Sequence, residues 1–138
     1  MPNGIDLILA DHEMVKDLFA RFDETRDGTI VGQVIDALTA HDQAEHAALY
    51  PLAALVGADA ALLQRCELAH SLVKKQFDVI TALEGAPLVD AFAVLRALVT
   101  EHVTDEERNL LPAIAAQASE QQLEGLGARI LQAKQRVG

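Results

Sequence analysis

The sequence predicts an all-α chain: an antiparallel up-down four-helix bundle with a short C-terminal fifth helix. Three observations predict it. Every long segment carries apolar residues at the 3.6-residue period, and none alternates as a half-buried strand would. Ala, Leu, Glu and Gln are plentiful, which favours helix, while aromatics make up only 4% and Trp is absent. The breaks between periodic segments are short clusters of Gly, Asp and Pro. Connections that short force neighbouring helices to run antiparallel.

The first helix is expected from about Ile5 to Glu24, with Ile8, His12, Val15, Phe19 and Phe22 on one stripe. Asn3 serves as its cap and Asp6 sits in its first turn. It stops at the turn Thr25-Arg26-Asp27-Gly28. The second runs from about Ile30 to beyond Leu49, with Val34, Leu38, His41, Glu45 and Leu49 in line. Pro51 lacks an N–H and clashes one turn back, so a kink or an end is expected near Tyr50.

Gly57-Ala58-Asp59 opens the third helix, with Asp59 as cap. It reaches about Glu84 and lines up Leu62 or Leu63, Cys66, His70, Val73, Phe77 and Ile80. Pro87, at a first-turn position, starts the fourth. This helix carries Leu88, Phe92, Leu95, Val99, His102, Glu106 and Leu110, and is expected to bend at Pro112. The last, from Ser119 to about Lys134, has Leu123, Leu126 and Ile130 on one side and is expected to lie across the bundle as a lid or cap. Residues 1–138 read as a single domain, with no linker or low-complexity tract.

The net charge of −10 and the pI near 4.7 argue against nucleic acid or an anionic membrane as a partner. No apolar run approaches a membrane span, and the N-terminus lacks the basic region of a signal peptide. A single cysteine rules out an internal disulfide and suits a reducing compartment, so a cytoplasmic location is expected.

The chemistry lies in an internal repeat. His41-x3-Glu45, followed by Leu49-Tyr50-Pro51, returns as His102-x3-Glu106, followed by Leu110-Leu111-Pro112. Four residues is slightly more than one helical turn, so each imidazole and its carboxylate point the same way. Counted from the expected helix ends, His12, His41, Glu45, His70, His102 and Glu106 fall within about one or two turns of a common level. All six lie on the inward stripes. A lone His on an apolar stripe is more often a satisfied core residue than a ligand, but four at one level, two of them with Glu at i+4, point to a metal centre. They are too many donors for one tetrahedral zinc and too rich in nitrogen for Mg or Ca. Mixed imidazole and carboxylate donors suit iron, and two carboxylates can bridge two ions. Each helix pair supplies two His and one Glu, related by an approximate twofold.

With Asp11-His12-Glu13, His41-x3-Glu45 before Tyr50-Pro51, His70, and His102-x3-Glu106-Glu107 before Pro112, the chain resembles the hemerythrin-like (HHE cation-binding) domain family along nearly its whole length. The resemblance implies an oxo- or hydroxo-bridged centre of two iron ions, with His12, His41, His70 and His102 as terminal ligands and Glu45 and Glu106 as bridges. It implies a protein that binds and reacts with O2, peroxide or nitric oxide. It leaves open a non-catalytic module for O2 or iron binding, buffering or sensing, which would need a protein partner to pass on its signal.

Two departures from the family's oxygen carriers matter. Those carriers present two His one turn apart on the third helix, whereas here Cys66 and Lys74 flank His70. One iron is therefore expected to take water or a nearby side chain: Glu67, Asp42 or Tyr50. The carriers also place the second bridging carboxylate five residues after its His. Here both Glu106 and Glu107 are available, and regular helix geometry favours Glu106.

Glu67 reads as a solvated flank with ligation as the alternative, and His46 as a flank residue rather than a ligand. Tyr50 reads as a packed phenol hydrogen-bonded to a neighbour, with ligation or proton donation as the alternative. Cys66 reads as a small hydrophobe. Lys74 is expected to pair with Asp78 at i+4. Ferritin-like bundles use Glu-x-x-His twice; this chain has one such pair at the right level, Glu67 and His70, and no second copy.

Overall fold

A computed structural model describes residues 3–137. Among the described residues, five helical rods make up the fold. The first is α1 (Gly4–Thr25). The second comprises α2 (Gly28–Ala44), a π turn (Glu45–Leu49) and α3 (Tyr50–Leu55). The third is α4 (Ala60–Thr81). The fourth comprises α5 (Gly85–Asp105), a second π turn (Glu106–Leu110) and α6 (Leu111–Gln117), and the fifth is α7 (Glu120–Val137).

The helix starts follow from side-chain caps. Asn3 Oδ1 accepts from the Ile5 N–H at 2.8 Å, and Asp59 Oδ1 from the Ala61 N–H at 3.0 Å. Asp27, read from the sequence only as part of a turn, caps α2 by accepting from the Thr29 N–H at 3.0 Å. Helix α2 accordingly begins two residues earlier than the apolar stripe suggests. Arg26 closes α1 in the left-handed region, with φ 55°. Helix α4 ends at Thr81, short of the expected Glu84.

Burial shows how the rods run. One apolar cluster contains Ile8, Ala48, Leu62, Cys66, Leu110 and Ile114. A second contains Val15, Phe19, Val34, Leu38, Val73, Phe92 and Val99. Between them lies a layer of buried polar residues: Asp11, His12, His41, Asp42, Glu45, His70, His102 and Glu106. Along the chain, α1 passes from the first cluster to the second, α2 returns, α4 passes down again and α5 returns. That alternation is the antiparallel up-down arrangement.

The two prolines act differently from expectation. The second and fourth rods neither end nor break at Pro51 and Pro112. Each opens instead into a π turn just before its proline, with the Tyr50 N–H donating to Glu45 O and the Leu111 N–H to Glu106 O. The proline ring clashes with the carbonyl one α-turn back. Widening that turn by one residue relieves the clash and lets the helix continue.

Helix α7 also departs from expectation. With 18 residues it is the short fifth helix expected, the shortest of the five rods, but it packs lengthwise rather than across the bundle as a lid. Leu126 meets Gly4 and Lys134 reaches Asp11, so α7 runs beside the first turns of α1 in the same direction. The contact at Gly4 is so close that a Cβ there would overlap the Leu126 side chain. Leu126, Ile130 and Ala133 thereby close the first apolar cluster. Among the described residues no helix is long and apolar enough to cross a membrane.

Candidate metal centre

Four rods each present an imidazole to the polar layer, and two add a carboxylate. One donor atom from each of His12, His41, Glu45 and Glu106 lies within 4.8 Å of the others, and the same holds for Glu45, His70, His102 and Glu106. The two cages share both carboxylates, and each carboxylate is divided between them. Glu45 turns Oε2 to His41 Nε2 at 3.3 Å and Oε1 to His70 Nε2 at 2.8 Å. Glu106 turns Oε1 to His12 Nε2 at 3.3 Å and Oε2 to His102 Nε2 at 3.1 Å. The approximate twofold of the sequence is thus present in the geometry, with α1 and α2 related to α4 and α5.

Both glutamates are fully buried at 0% exposure. Burying a carboxylate is costly unless something answers its charge. His12 Nε2, His41 Nε2, Glu45 Oε2 and Glu106 Oε1 are also buried with no hydrogen-bond partner among the described residues. These are the converging atoms of the first cage. Folded proteins seldom leave such atoms unpaired, and two nitrogens with two oxygens are a suitable donor set for a first-row metal such as iron.

In the second cage Tyr50 answers the equivalent atoms. Its hydroxyl lies 2.7 Å from His70 Nε2, 3.0 Å from Glu106 Oε2 and 3.2 Å from Glu45 Oε1. The π turn explains how it gets there. On a regular α-helix the fifth residue after Glu45 points well away from it, but a turn with one extra residue brings Tyr50 back to the Glu45 face. Its counterpart in the second half of the chain is Leu111, buried and apolar.

The profile of the hemerythrin HHE cation-binding domain matches residues 3–114. The chain belongs to that family. The fold agrees: a crystal structure of an HHE cation-binding domain-containing protein from Mycobacterium kansasii superposes with a TM-score of 0.86 at 19% identity, over 99% of this chain and 88% of that one. No curated protein sequence matches.

Around the cages of this HHE domain stands a ring of carboxylates that hold the imidazoles by their other nitrogen. His12 Nδ1–H donates to Glu107 Oε2 at 2.7 Å, and His41 Nδ1–H to Asp11 Oδ2 at 3.0 Å. His70 Nδ1–H donates to Asp42 Oδ1. An ionised carboxylate can only accept, so Nδ1 carries the proton and Nε2 is the atom offered to the centre. His102 Nδ1 is buried without such a partner. Glu107, the runner-up to Glu106 in the sequence, therefore orients His12 instead of joining the shared pair.

The charges of the layer sustain one another. Burial alone would lower the His41 pKa, but the Glu45 charge and the hydrogen bond to Asp11 hold it well above its ordinary value. Burial likewise opposes charge on His102, yet its hydrogen bonds to Glu106 and Glu45 push it up to about 10. Against the same effect of burial, Asp42 and Glu45 raise His70. Glu45 is held well below the usual carboxylate range despite its burial, chiefly by the His41 charge. Burial, then the charges of Glu45 and Glu106, keep the Tyr50 phenol protonated far above its ordinary range. A metal entering this HHE domain must therefore displace imidazole protons.

The remaining sequence candidates find other places. Asp42 orients His70, and its pKa falls to about 2 because hydrogen bonds from His70 and Lys74 outweigh burial. Lys74 pairs with Asp42 at 3.1 Å and not with Asp78 as expected, since the Asp42 carboxylate of α2 faces it across the bundle. Glu67 is exposed and outside both cages. His46, with 40% of its side chain exposed, forms only a flanking group with Asp42 and His70. Cys66 packs in the first apolar cluster, where burial and then the Glu106 charge push its thiol up to about 12. Sequence reasoning gave no role to Asp11, or to Lys134 of α7, which grips the Asp11 carboxylate. The only available signal was the adjacency of Asp11 to His12.

Proposed function

We propose that this HHE domain is a non-haem di-iron protein that binds and reacts with O2, peroxide or nitric oxide. The observation that carries the reading is the division of Glu45 and Glu106 between two cages, one oxygen to each. His12 and His41 would hold one iron, His70, His102 and the Tyr50 oxygen the other, and the two glutamates both. When bound, the iron pair supplies two electrons, one from each ion, for reduction of a small oxidant.

The chain's own residues do the rest. Asp11, Asp42 and Glu107 fix the tautomer and orientation of three imidazoles. Before metal enters, the Tyr50 hydroxyl holds its proton 3.0 Å from Glu106 Oε2, and the phenol would release that proton on taking its place beside the iron. Apolar side chains on both sides of the layer exclude bulk water. The partners are small molecules, with neither nucleic acid nor membrane involved, and the single free thiol and acidic surface suit the cytoplasm.

The test is anaerobic loading with Fe(II), metal counted per chain, and an absorption spectrum before and after O2 is admitted. Two irons per chain and a new oxygen-dependent near-ultraviolet band are expected, followed by catalytic consumption of peroxide or nitric oxide. A stoichiometric adduct that reverses under vacuum would make the protein a carrier. His41→Ala and Glu45→Gln are each expected to abolish loading; two irons retained in either variant would overturn the ligand assignment. So would zero or one metal in the unaltered protein with no oxygen-dependent band.

A further inference from the structure

On the side of the polar layer away from Tyr50 lies a cavity of about 250 Å3. Its walls are Val15, Leu38, Val73, Phe77, Val99 and Val103, drawn from all four bundle helices. Its roof is formed by the imidazoles of His12, His41, His70 and His102. Glu45, Glu106 and Tyr50 do not line it, so this space lies outside the donor cages. Thr39, Gln43 and Lys74 mark its mouth between α2 and α4.

Protein cores normally fill such space at close-packed density. Here four of the six wall positions are valine, where leucine or phenylalanine would close it. Apolar walls give water too few partners to settle there. An engineered apolar cavity of about 150 Å3 stays dry and takes one benzene. Scaled in proportion, the present cavity has room for roughly ten carbons. A diatomic gas or hydrogen peroxide would occupy a small part of it.

The two carboxylates that also line it are already answered within the protein, Asp11 by His41 and Lys134 and Asp42 by His70 and Lys74, so neither is left to pair with a buried charge. The ammonium of Lys74, at the mouth, is already paired with Asp42. We infer that this cavity binds one neutral, mainly apolar organic molecule of about eight to ten carbons, its inner end against the imidazole edges and its outer end at the Thr39–Gln43–Lys74 mouth. The inference goes beyond the di-iron reading and does not depend on it. It provides a second ligand beside the centre, of a class that a gas-binding protein does not require.

The experiment titrates indole and, separately, 1-octanol into the protein, both metal-free and iron-loaded, by calorimetry. Methyl NMR of the metal-free protein locates the site. One-to-one saturable binding is expected, with a dissociation constant below about 1 mM and shifts centred on the methyls of Val15, Val73, Val99 and Val103. Val73→Phe and Val99→Phe, which fill the space, are expected to weaken binding at least about tenfold, while Val73→Ala retains it. Absence of saturable binding up to probe solubility would overturn the inference, as would methyl shifts centred elsewhere or unchanged affinity in fillers that still melt cooperatively. Probe binding without iron loading would remove only the proposed function. Iron loading without probe binding would remove only this inference.

Discussion

Replacing Tyr50 by Phe deletes one oxygen from the polar layer and little else. A phenol has one proton to give, so the hydroxyl donates to a single carboxylate, with Glu106 Oε2 at 3.0 Å the nearer, and accepts from His70 Nε2. Without it, His70 Nε2 still faces Glu45 Oε1 at 2.8 Å. The loss in the metal-free protein is therefore one hydrogen bond to a charged group in a buried setting, about 2 kcal/mol. For a chain of this size about 1 kcal/mol moves the melting temperature by about 4 °C, so a drop of about 8 °C is expected. Calorimetry on metal-free wild type and Tyr50→Phe measures it. In the iron-loaded protein, a visible phenolate-to-iron charge-transfer band is expected in wild type and absent in the variant. A melting shift under about 2 °C would show that the hydroxyl is not held as described. A visible band that survives the substitution would show that the phenol is not a ligand.

Three further outcomes follow from the geometry. Glu107→Gln weakens the carboxylate grip on His12 Nδ1 and is expected to lower metal affinity by about 10–100-fold, whereas Glu106→Gln removes a shared ligand and abolishes two-metal binding; equal effects in a metal titration would contradict the division of roles. Gly4→Ala puts a methyl against Leu126, including its Cβ at 2.7 Å, and is expected to cost about 1–3 kcal/mol by urea denaturation; an unchanged midpoint would mean that α7 does not sit on α1 in this way. The metal-free protein should also lose stability in base. The His102 pKa is raised from 6.5 to about 10, so its contribution is complete below the unfolded value and declines as pH climbs through the folded one. A urea midpoint that stays flat between pH 7 and 10 would refute this, and the metal-loaded protein, its imidazoles already deprotonated, is expected to lack that decline.

The bundle was legible because its information is periodic. Stripes such as Val34, Leu38, His41 and Glu45 carry both the helix and its inward face, and the six level-matched residues do meet in the layer. Whether those six bind metal is for the loading experiments to decide. What escaped sequence reading depends on departures from period. Tyr50 could not be aimed because Pro51 announces a disturbance without stating its form, and a π turn rotates the next residues where a kink would not. Asp11, Lys74 and Lys134 act through partners on other helices, and single-helix spacing holds no record of such cross-bundle contacts. The C-terminal helix was misplaced for the same reason, since its seat depends on the bare backbone of Gly4.

The contrast between Tyr50 and Leu111 has a consequence for how such a protein can be built. The two helical hairpins repeat one motif, His-x3-Glu before a π turn and a proline, and two identical hairpins associating as a homodimer could assemble a centre of this kind. A homodimer, however, would have to place the same residue at both positions, phenol with phenol or leucine with leucine. Joining the copies in one polypeptide frees each half to diverge, so that one pole of the centre can carry a hydroxyl while the other stays hydrocarbon. A polarised pair of this sort, with inequivalent ends, is available only to the fused form.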